Sequence, residues 1–189
     1  MTTNDGAATP SITSVVAGLA AGVRFEDLPA DVVLLAKECI LDWLGVTLAG
    51  AGEPLSRILQ EEMAEEGGNP QAAIIGTGLR GTIQQAALAN GAASHALDYD
   101  DVHTAMSGHP TVPVVPGLLA LAEFRRASPR DFLAAFVAGF ETECRIGLLV
   151  NPGHYAEGWH ATGTLGTFGS AAACANLLGL SVEETRTVL

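Results

Sequence analysis

Apolar residues recur along most of this chain at the three-to-four-residue spacing of an amphipathic helix, interrupted by short polar or glycine-rich stretches. The pattern predicts helices over residues 11–22, 29–49, 54–66, 82–96, 116–126, 128–149 and 162–178, and a last one that opens at a capping box in residues 181–184. Residues 72–75 are predicted to be a brief extended piece. The predicted fold class is therefore all-α, an array of packed helices that resembles stacked αα-hairpins.

The same pattern predicts how the chain is organised. The second predicted helix is apolar around most of its circumference, which predicts that it is buried. Residues 1–10 are small and polar and are predicted to be disordered, whereas residues 11–189 are predicted to form one helical domain. The last predicted helix stops mid-pattern at Leu189 without a C-cap, so we expect a truncated domain.

Composition narrows the classes of function. The net charge of −12 and the pI near 4.6 leave no basic surface for nucleic acid or for an anionic membrane. Cys39, Cys144 and Cys174 lie far apart in apolar helical runs, so we expect small core residues in a reducing compartment. The sequence shows neither a signal peptide nor an apolar run of about 20 residues, and a cytoplasmic protein is expected.

The candidate chemistry is concentrated in residues 95–116, predicted to be a loop between two apolar helices. This stretch holds three of the five histidines and three aspartates, namely His95, His103, His109, Asp98, Asp100 and Asp101. Three carboxylates within four positions repel one another, which predicts a raised pKa for one that is buried. Such a carboxyl group can act as a general base. The alternative interpretation is a helix C-terminal turn whose aspartates bind nearby main-chain N–H groups.

Two further alternatives concern metal and anion binding. Aspartate and histidine can hold a metal ion, but the spacing here is loop-like and includes no fixed helical pair of ligands. A second loop ends in Trp159 and His160, and a helix rich in glycine and threonine follows it. Main-chain N–H groups and threonine hydroxyls at a helix start can bind a carboxylate or phosphate. The glycines there can equally serve close helix packing, and both interpretations can hold together.

Two motifs in this order resemble the MmgE/PrpD family. They are His-Ala-Leu-Asp-Tyr-Asp-Asp followed by His-Pro at residues 109–110, and Gly-Trp-His-Ala-Thr-Gly-Thr-Leu-Gly-Thr-Phe-Gly at residues 158–169. Residues 37–50 resemble the long early helix of that family, and the resemblance extends over nearly the whole chain from about residue 11. The motifs are specific for the family and not for one substrate.

The resemblance implies an all-helical domain and a smaller lid domain, usually in a homodimer, with the active site between the domains. It also implies chemistry on a di- or tricarboxylate without metal or cofactor. The family's catalytic lysine, its lid and its closing helices would lie beyond residue 189. Lys37, the only lysine of this chain, belongs to the early helix and is not expected to replace the catalytic one.

Matching positions imply roles for individual residues. Catalytic roles are carried over to Asp98, His109 and His160, and substrate contacts are predicted for Asp101, His103, Thr104, Thr162 and Thr164. The implied function is a lyase of the 2-methylcitrate dehydratase type, which moves a proton next to a carboxylate. A decarboxylase or isomerase of the same family, or an inactive helical fragment that serves as an interaction module, is the alternative. Association through a homodimer or through exposed apolar surface is expected.

Overall fold

A computed structural model describes residues 10–189, so the disorder predicted for residues 1–10 falls almost entirely outside the described part of the chain. The helices are α1 (Ile12–Gly22), α2 (Ala30–Gly50), α3 (Pro54–Glu66), α4 (Ile83–His95), α5 (Thr111–Arg125), α6 (Pro129–Val150), α7 (Gly153–Ala156), α8 (Ala161–Leu177) and α9 (Val182–Val188). A short antiparallel pair, β1 (Ala72–Ile74) and β2 (Leu79–Gly81), lies between α3 and α4. The all-α fold class is confirmed.

Side-chain caps explain why several helices begin where the sequence predicts. The hydroxyl of Ser128 accepts a hydrogen bond from the main-chain N–H of Asp131, and Pro129 occupies the first turn of α6. At the start of α9, Ser181 and Glu184 form the predicted capping box, in which each side chain accepts from the other residue's main chain. These local signals need no tertiary contact and therefore appear directly in the sequence.

The start of α5 corrects the predicted loop. The prolines at 110, 113 and 116 led us to expect a helix only from residue 116, but α5 begins at Thr111. Pro113 lies in the first turn, where a main-chain N–H has no partner within the helix anyway. Pro116 lies inside the helix and gives up one internal hydrogen bond. The loop between α4 and α5 is therefore only residues 96–110.

The predicted burial of α2 is wrong for this chain. Trp43 is buried in the main core, but Leu34, Leu41 and Leu48 are 58%, 69% and 54% exposed. The reason is that α2 packs against α4, α5 and α6 along one side only. Within residues 10–189 no element covers its other side, which leaves an apolar surface open to solvent.

Glycines allow the central helices to approach one another closely. The largest contact runs between α6 and α8, and α5 packs against both α8 and α4. A Cβ on Gly139 of α6 would lie 2.6 Å from the main-chain oxygen of Gly169 of α8. A Cβ on Gly166 would overlap the ring of Pro113. The short distances between these helices place the first turn of α8 beside the loop that precedes α5.

Among the described residues, no helix has the length and apolarity needed to cross a membrane.

Replacing Gly50 by alanine is expected to destabilise the protein because its Cβ would overlap the main-chain oxygen of Ala93. Helices α2 and α4 would have to separate, and overpacking of this kind costs about 1–3 kcal/mol. A Cβ on Gly45, in the same helix, would meet no atom within 4 Å. Gly45→Ala should therefore stabilise by up to about 1 kcal/mol through helix propensity. Urea unfolding followed by circular dichroism measures both, and similar effects of the two changes would contradict this packing.

Candidate functional site

The loop of residues 96–110 is tied to the start of α5 by Asp101. The main-chain N–H of Thr111 donates to Oδ1 at 3.2 Å, and its hydroxyl donates to Oδ2 at 2.5 Å. Burial raises the pKa of the Asp101 carboxyl, the bonds from Thr111 oppose this effect, and the neighbouring Asp100 adds to it. The pKa of one member of the aspartate group is thus raised, but Asp101 is half-buried and the main cause is its burial, with repulsion by Asp100 a lesser one.

The same loop is also fixed to α6 and α8. The side-chain amide of Asn151, directly after α6, donates to the main-chain oxygen of Met106 at 2.7 Å, and the Met106 side chain is fully buried. The main-chain N–H of His109 donates to the hydroxyl of Thr162, in the first turn of α8, at 3.0 Å. Contacts with three helices thus determine where the loop places its ionisable side chains.

His95, Asp98, Asp100 and His109 form one histidine–aspartate cluster, in which potential ligand atoms from all four lie within 4.8 Å of one another. The Asp100 side chain is 1% exposed, and its Oδ1 lies 2.9 Å from Nδ1 of His95. Its Oδ2 lies 3.2 Å from Nδ1 of His109. The two imidazole rings meet edge to face, with centroids 4.9 Å apart.

The predicted catalytic residues lie around this cluster. Asp98 has a left-handed backbone with φ of 54°, which aspartate tolerates better than most residues. Its Oδ1 lies 3.6 Å from Nε2 of His109 and 3.9 Å from Nε2 of His95. His160, the residue before α8, places its ring centroid 6.4 Å from that of His95. The fold therefore brings Asp98, His109 and His160 to one place, although they come from two separate loops.

Two of the predicted substrate contacts are threonines in the first turn of α8. The hydroxyl of Thr162 accepts from the main chain of His109. The hydroxyl of Thr164 donates to the main-chain oxygen of His160 at 3.1 Å and lies 2.6 Å from Nε2 of His154. Both hydroxyls thus hold the loops in place, and their contact with substrate stays a prediction.

The other predicted substrate contacts lie at different parts of the loop. Nδ1 of His103 accepts from the main-chain N–H of Ala105, and its ring packs edge to face on Phe140, with centroids 5.7 Å apart. Thr104 is exposed. The carboxylate of Asp101 is occupied by Thr111 at the start of α5. The substrate contacts predicted for these three loop residues also stay predictions.

A cavity of about 600 Å³ opens beside the cluster. His95 is the cluster residue that lines it. The other lining residues are hydroxyl-bearing, small or apolar, namely Thr162, Thr167, Ser170, Gly91, Gly163, Gly166, Ala171, Cys174, Val112 and Pro113. Among the described residues, no lysine or arginine lines this cavity. A polyanion bound here would depend on imidazole, hydroxyl and main-chain groups of this chain for its polar contacts.

The cluster also offers ligands that suit a metal ion. Two imidazoles and two carboxylates are common zinc ligands. In the structure, however, Nδ1 of His95 already shares a hydrogen bond with Asp100. Metal binding would have to use the Nε2 atoms, or break that bond. The prediction that the site works without metal stays a prediction.

Sequence reasoning placed Asp100 in the aspartate group without assigning it a role, and it did not single out Glu143. Glu143 of α6 is fully buried, and neither of its carboxyl oxygens has a hydrogen-bond partner. Burial raises the pKa of Glu143 to about 10, and the charge of Asp101 adds to the effect. The available signal was periodicity, because Glu143 follows Phe136 and Gly139 on the buried face of α6.

Taken together, the fold and the site define an all-helical domain that carries a histidine–aspartate cluster suited to proton transfer. The chain belongs to the MmgE/PrpD family, because residues 15–189 match the MmgE/PrpD N-terminal domain. This family assignment confirms the resemblance drawn from the two motifs.

Curated relatives support the same assignment. The chain is 31% identical to the cis-aconitate decarboxylase-like protein oryM of Aspergillus oryzae, over 100% of this chain and 41% of that protein. It is 33% identical to the cis-aconitate decarboxylase of Homo sapiens, over 95% of this chain and 38% of that protein. It is 30% identical to the cis-aconitate decarboxylase of Aspergillus terreus, over 98% of this chain and 39% of that protein. The chain therefore spans about two fifths of the length of these relatives.

Replacing Glu143 by glutamine is expected to flatten the pH dependence of stability. The folded-state pKa of about 10 lies above the ordinary value of 4.5. The protonated carboxyl therefore contributes stability that is fully present below pH 4.5 and is lost as the pH rises towards 10. Within that window the loss is at most about 1.4 kcal/mol per pH unit.

Urea unfolding of the parent and the variant across this pH range measures the effect. The difference between the two isolates Glu143 from other groups that titrate in the same range. Glu141→Gln is the matched control, because Glu141 is an exposed member of a surface ion pair with Arg145. A Glu143→Gln profile as steep as the parent's would show that the carboxyl is not protonated in the folded protein.

Proposed function

We propose that this chain provides the histidine–aspartate part of a lyase site that acts on a di- or tricarboxylate. The observation that carries the proposal is the cluster itself, in which His95 and His109 share the buried carboxylate of Asp100, with His160 nearby. Imidazole can give or take a proton near neutral pH. The cluster also borders a cavity that is open to solvent and large enough for a small carboxylic acid.

The names of the relatives support cis-aconitate as the substrate and decarboxylation as the reaction. Loss of CO₂ from such an acid leaves an electron pair on carbon, and a proton must be delivered there. Dehydration of 2-methylcitrate, the reaction expected from the motifs, is a second candidate because it also moves a proton next to a carboxylate. None of the three relatives compared above carries a name that supports this second reaction.

In the proposed reaction, His109 and His160 form the acid–base and orienting pair. Nε2 of His109 is directed away from Asp100 and towards Asp98, so it can exchange a proton with a bound group. Asp98, at 78% side-chain exposure, is accessible to substrate and can accept or return that proton. The first turn of α8 would bind a substrate carboxylate through main-chain N–H groups at its positive end.

We expect cis-aconitate to bind this chain weakly and without turnover, because the chain spans only about two fifths of the relatives' length. When cis-aconitate is added, 15N-edited NMR of the histidine side chains should show shifted ring-nitrogen resonances for His95, His109 and His160. The Thr162 amide should shift with them. Product analysis by 13C NMR should show no loss of CO₂ and no dehydration of 2-methylcitrate above the rate in buffer.

His109→Gln is expected to weaken the binding about tenfold, the loss of roughly one hydrogen bond to a charged group. Glu141→Gln is the control, because Glu141 pairs with Arg145 on the exposed side of α6 and is not part of the cluster. Shifts confined to other parts of the molecule, or equal effects of the two substitutions, would contradict the proposed site. Turnover by the chain alone would show that the groups present here suffice for the reaction.

We also propose that the chain self-associates through its exposed apolar surface. Leu34, Leu41 and Leu48 form one side of α2, and Leu55 and Ile58 of α3 are 51% and 64% exposed. Light scattering is expected to show a mass above that of the 19.4 kDa chain. Leu41→Lys combined with Leu48→Lys should lower that mass, because charges in an apolar interface oppose association. A monomeric parent that binds no hydrophobic dye would rule this out.

A further inference from the structure

We propose that Asp100 is a positioning residue that holds His95 and His109 in the same tautomer, with the proton on Nδ1 and with Nε2 facing the substrate side. Asp100 lies next to the predicted catalytic residues but is not one of them, and it is inaccessible to a substrate. Only the catalytic use of the two Nε2 atoms rests on the proposed function. The tautomers themselves follow from contacts within the chain.

The tautomer of His109 is determined by a main-chain oxygen. Nδ1 of His109 forms a hydrogen bond of 3.2 Å with the carbonyl oxygen of Asp100. A carbonyl oxygen can only accept, so the proton of this bond belongs to Nδ1 of the ring. The carboxyl oxygen Oδ2 of the same residue lies at 3.2 Å from the same nitrogen, which adds a negative charge beside the N–H group.

The tautomer of His95 is determined by the side chain of Asp100. Oδ1 lies 2.9 Å from Nδ1 of His95, and a carboxylate accepts the proton of that bond. The Asp100 side chain is 1% exposed, so water cannot readily replace either ring as its partner. Oδ2 is buried and has no hydrogen-bond partner of its own. Its contact with Nδ1 of His109 therefore offsets part of the cost of burying this charged oxygen.

One buried carboxylate thus faces the Nδ1 side of two imidazoles, and Asp98 lies on their Nε2 side. Because Oδ1 of Asp98 is 3.6 and 3.9 Å from the two Nε2 atoms, it does not fix their protonation by a hydrogen bond. Both rings therefore present an unprotonated Nε2 atom that can take a proton and, once protonated, can donate it. Histidine–aspartate pairs in other enzymes depend on the same control of tautomer by a buried carboxylate.

The test is 15N NMR of the histidine side chains in this chain, at a pH above the ordinary titration range of imidazole. In the parent protein, Nδ1 of His95 and of His109 should resonate in the range of a protonated ring nitrogen, and Nε2 in the range of an unprotonated one. This measurement needs no variant, and the opposite tautomer on either ring would overturn the proposal.

Asp100→Asn then tests the cause. The asparagine amide keeps the shape of aspartate but replaces one carboxylate oxygen by an NH₂ group. Because Nδ1 of His109 keeps the main-chain oxygen of residue 100 as its acceptor, the change is expected at His95, whose Nδ1 resonance should shift to the unprotonated range. Asp98→Asn is the matched control and should leave both tautomers unchanged, because Asp98 lies beyond hydrogen-bond distance of the rings. Circular dichroism establishes that each variant is folded, and a folded Asp100→Asn protein with parental tautomers would refute the proposed role.

These measurements are independent of substrate. If Nδ1 is protonated on both rings but cis-aconitate shifts no histidine resonance, the positioning role of Asp100 stands and the proposed lyase site is refuted. Binding of cis-aconitate at the cluster with the other tautomer would support the site and refute the role of Asp100. Asp100→Glu is expected to restore Nδ1 protonation at least in part, since it returns a carboxylate to the Nδ1 side of the rings.

Discussion

The close contact between α6 and α8 determines where the candidate site forms. Gly139 and Gly169 bring the two helix backbones together, so the first turn of α8 lies beside the loop that precedes α5. Thr162 then accepts from the main chain of His109, while Asp101 binds Thr111 at the other end of the loop. A larger residue at either glycine would therefore act on the geometry of the cluster as well as on the core, because the contact that fixes His109 comes from the first turn of α8.

The fold was predictable wherever the signal was local. Ser128 and the capping box of Ser181 fix helix starts through side chains a few residues away, and the helix periodicity fixed most other segments. The early start of α5 was missed because proline at 113 looks like a loop signal, although the first helical turn tolerates it. The exposure of Leu41 was not predicted, because an apolar pattern in a helix does not show whether another element covers that side of the helix.

For the site, the sequence predicted which residues cluster but not how they are oriented. Asp98, His109 and His160 do lie around one point, as their motifs suggested. The position of Asp100 behind both rings depends on a turn whose residue 98 has a positive φ, and no spacing rule specifies that turn. Glu143 could not be predicted for a similar reason. Its position in the helix period indicates the buried face, whereas its charged side chain is of a type usually exposed to solvent.

The two carboxylates of the cluster affect how an anionic substrate could approach the imidazoles, because they lie on opposite sides of the rings. Asp100 lies behind the rings, on their Nδ1 side, whereas Asp98 lies in front of their Nε2 atoms. A substrate carboxylate that approaches those nitrogens meets the carboxylate of Asp98 first, and two like charges there would repel each other. The substrate therefore has to displace Asp98, which is 78% exposed and free to move, or share a proton with it. In both cases the carboxylate of Asp100, which is 1% exposed, stays out of reach of the substrate and keeps its contacts with Nδ1 of both imidazoles.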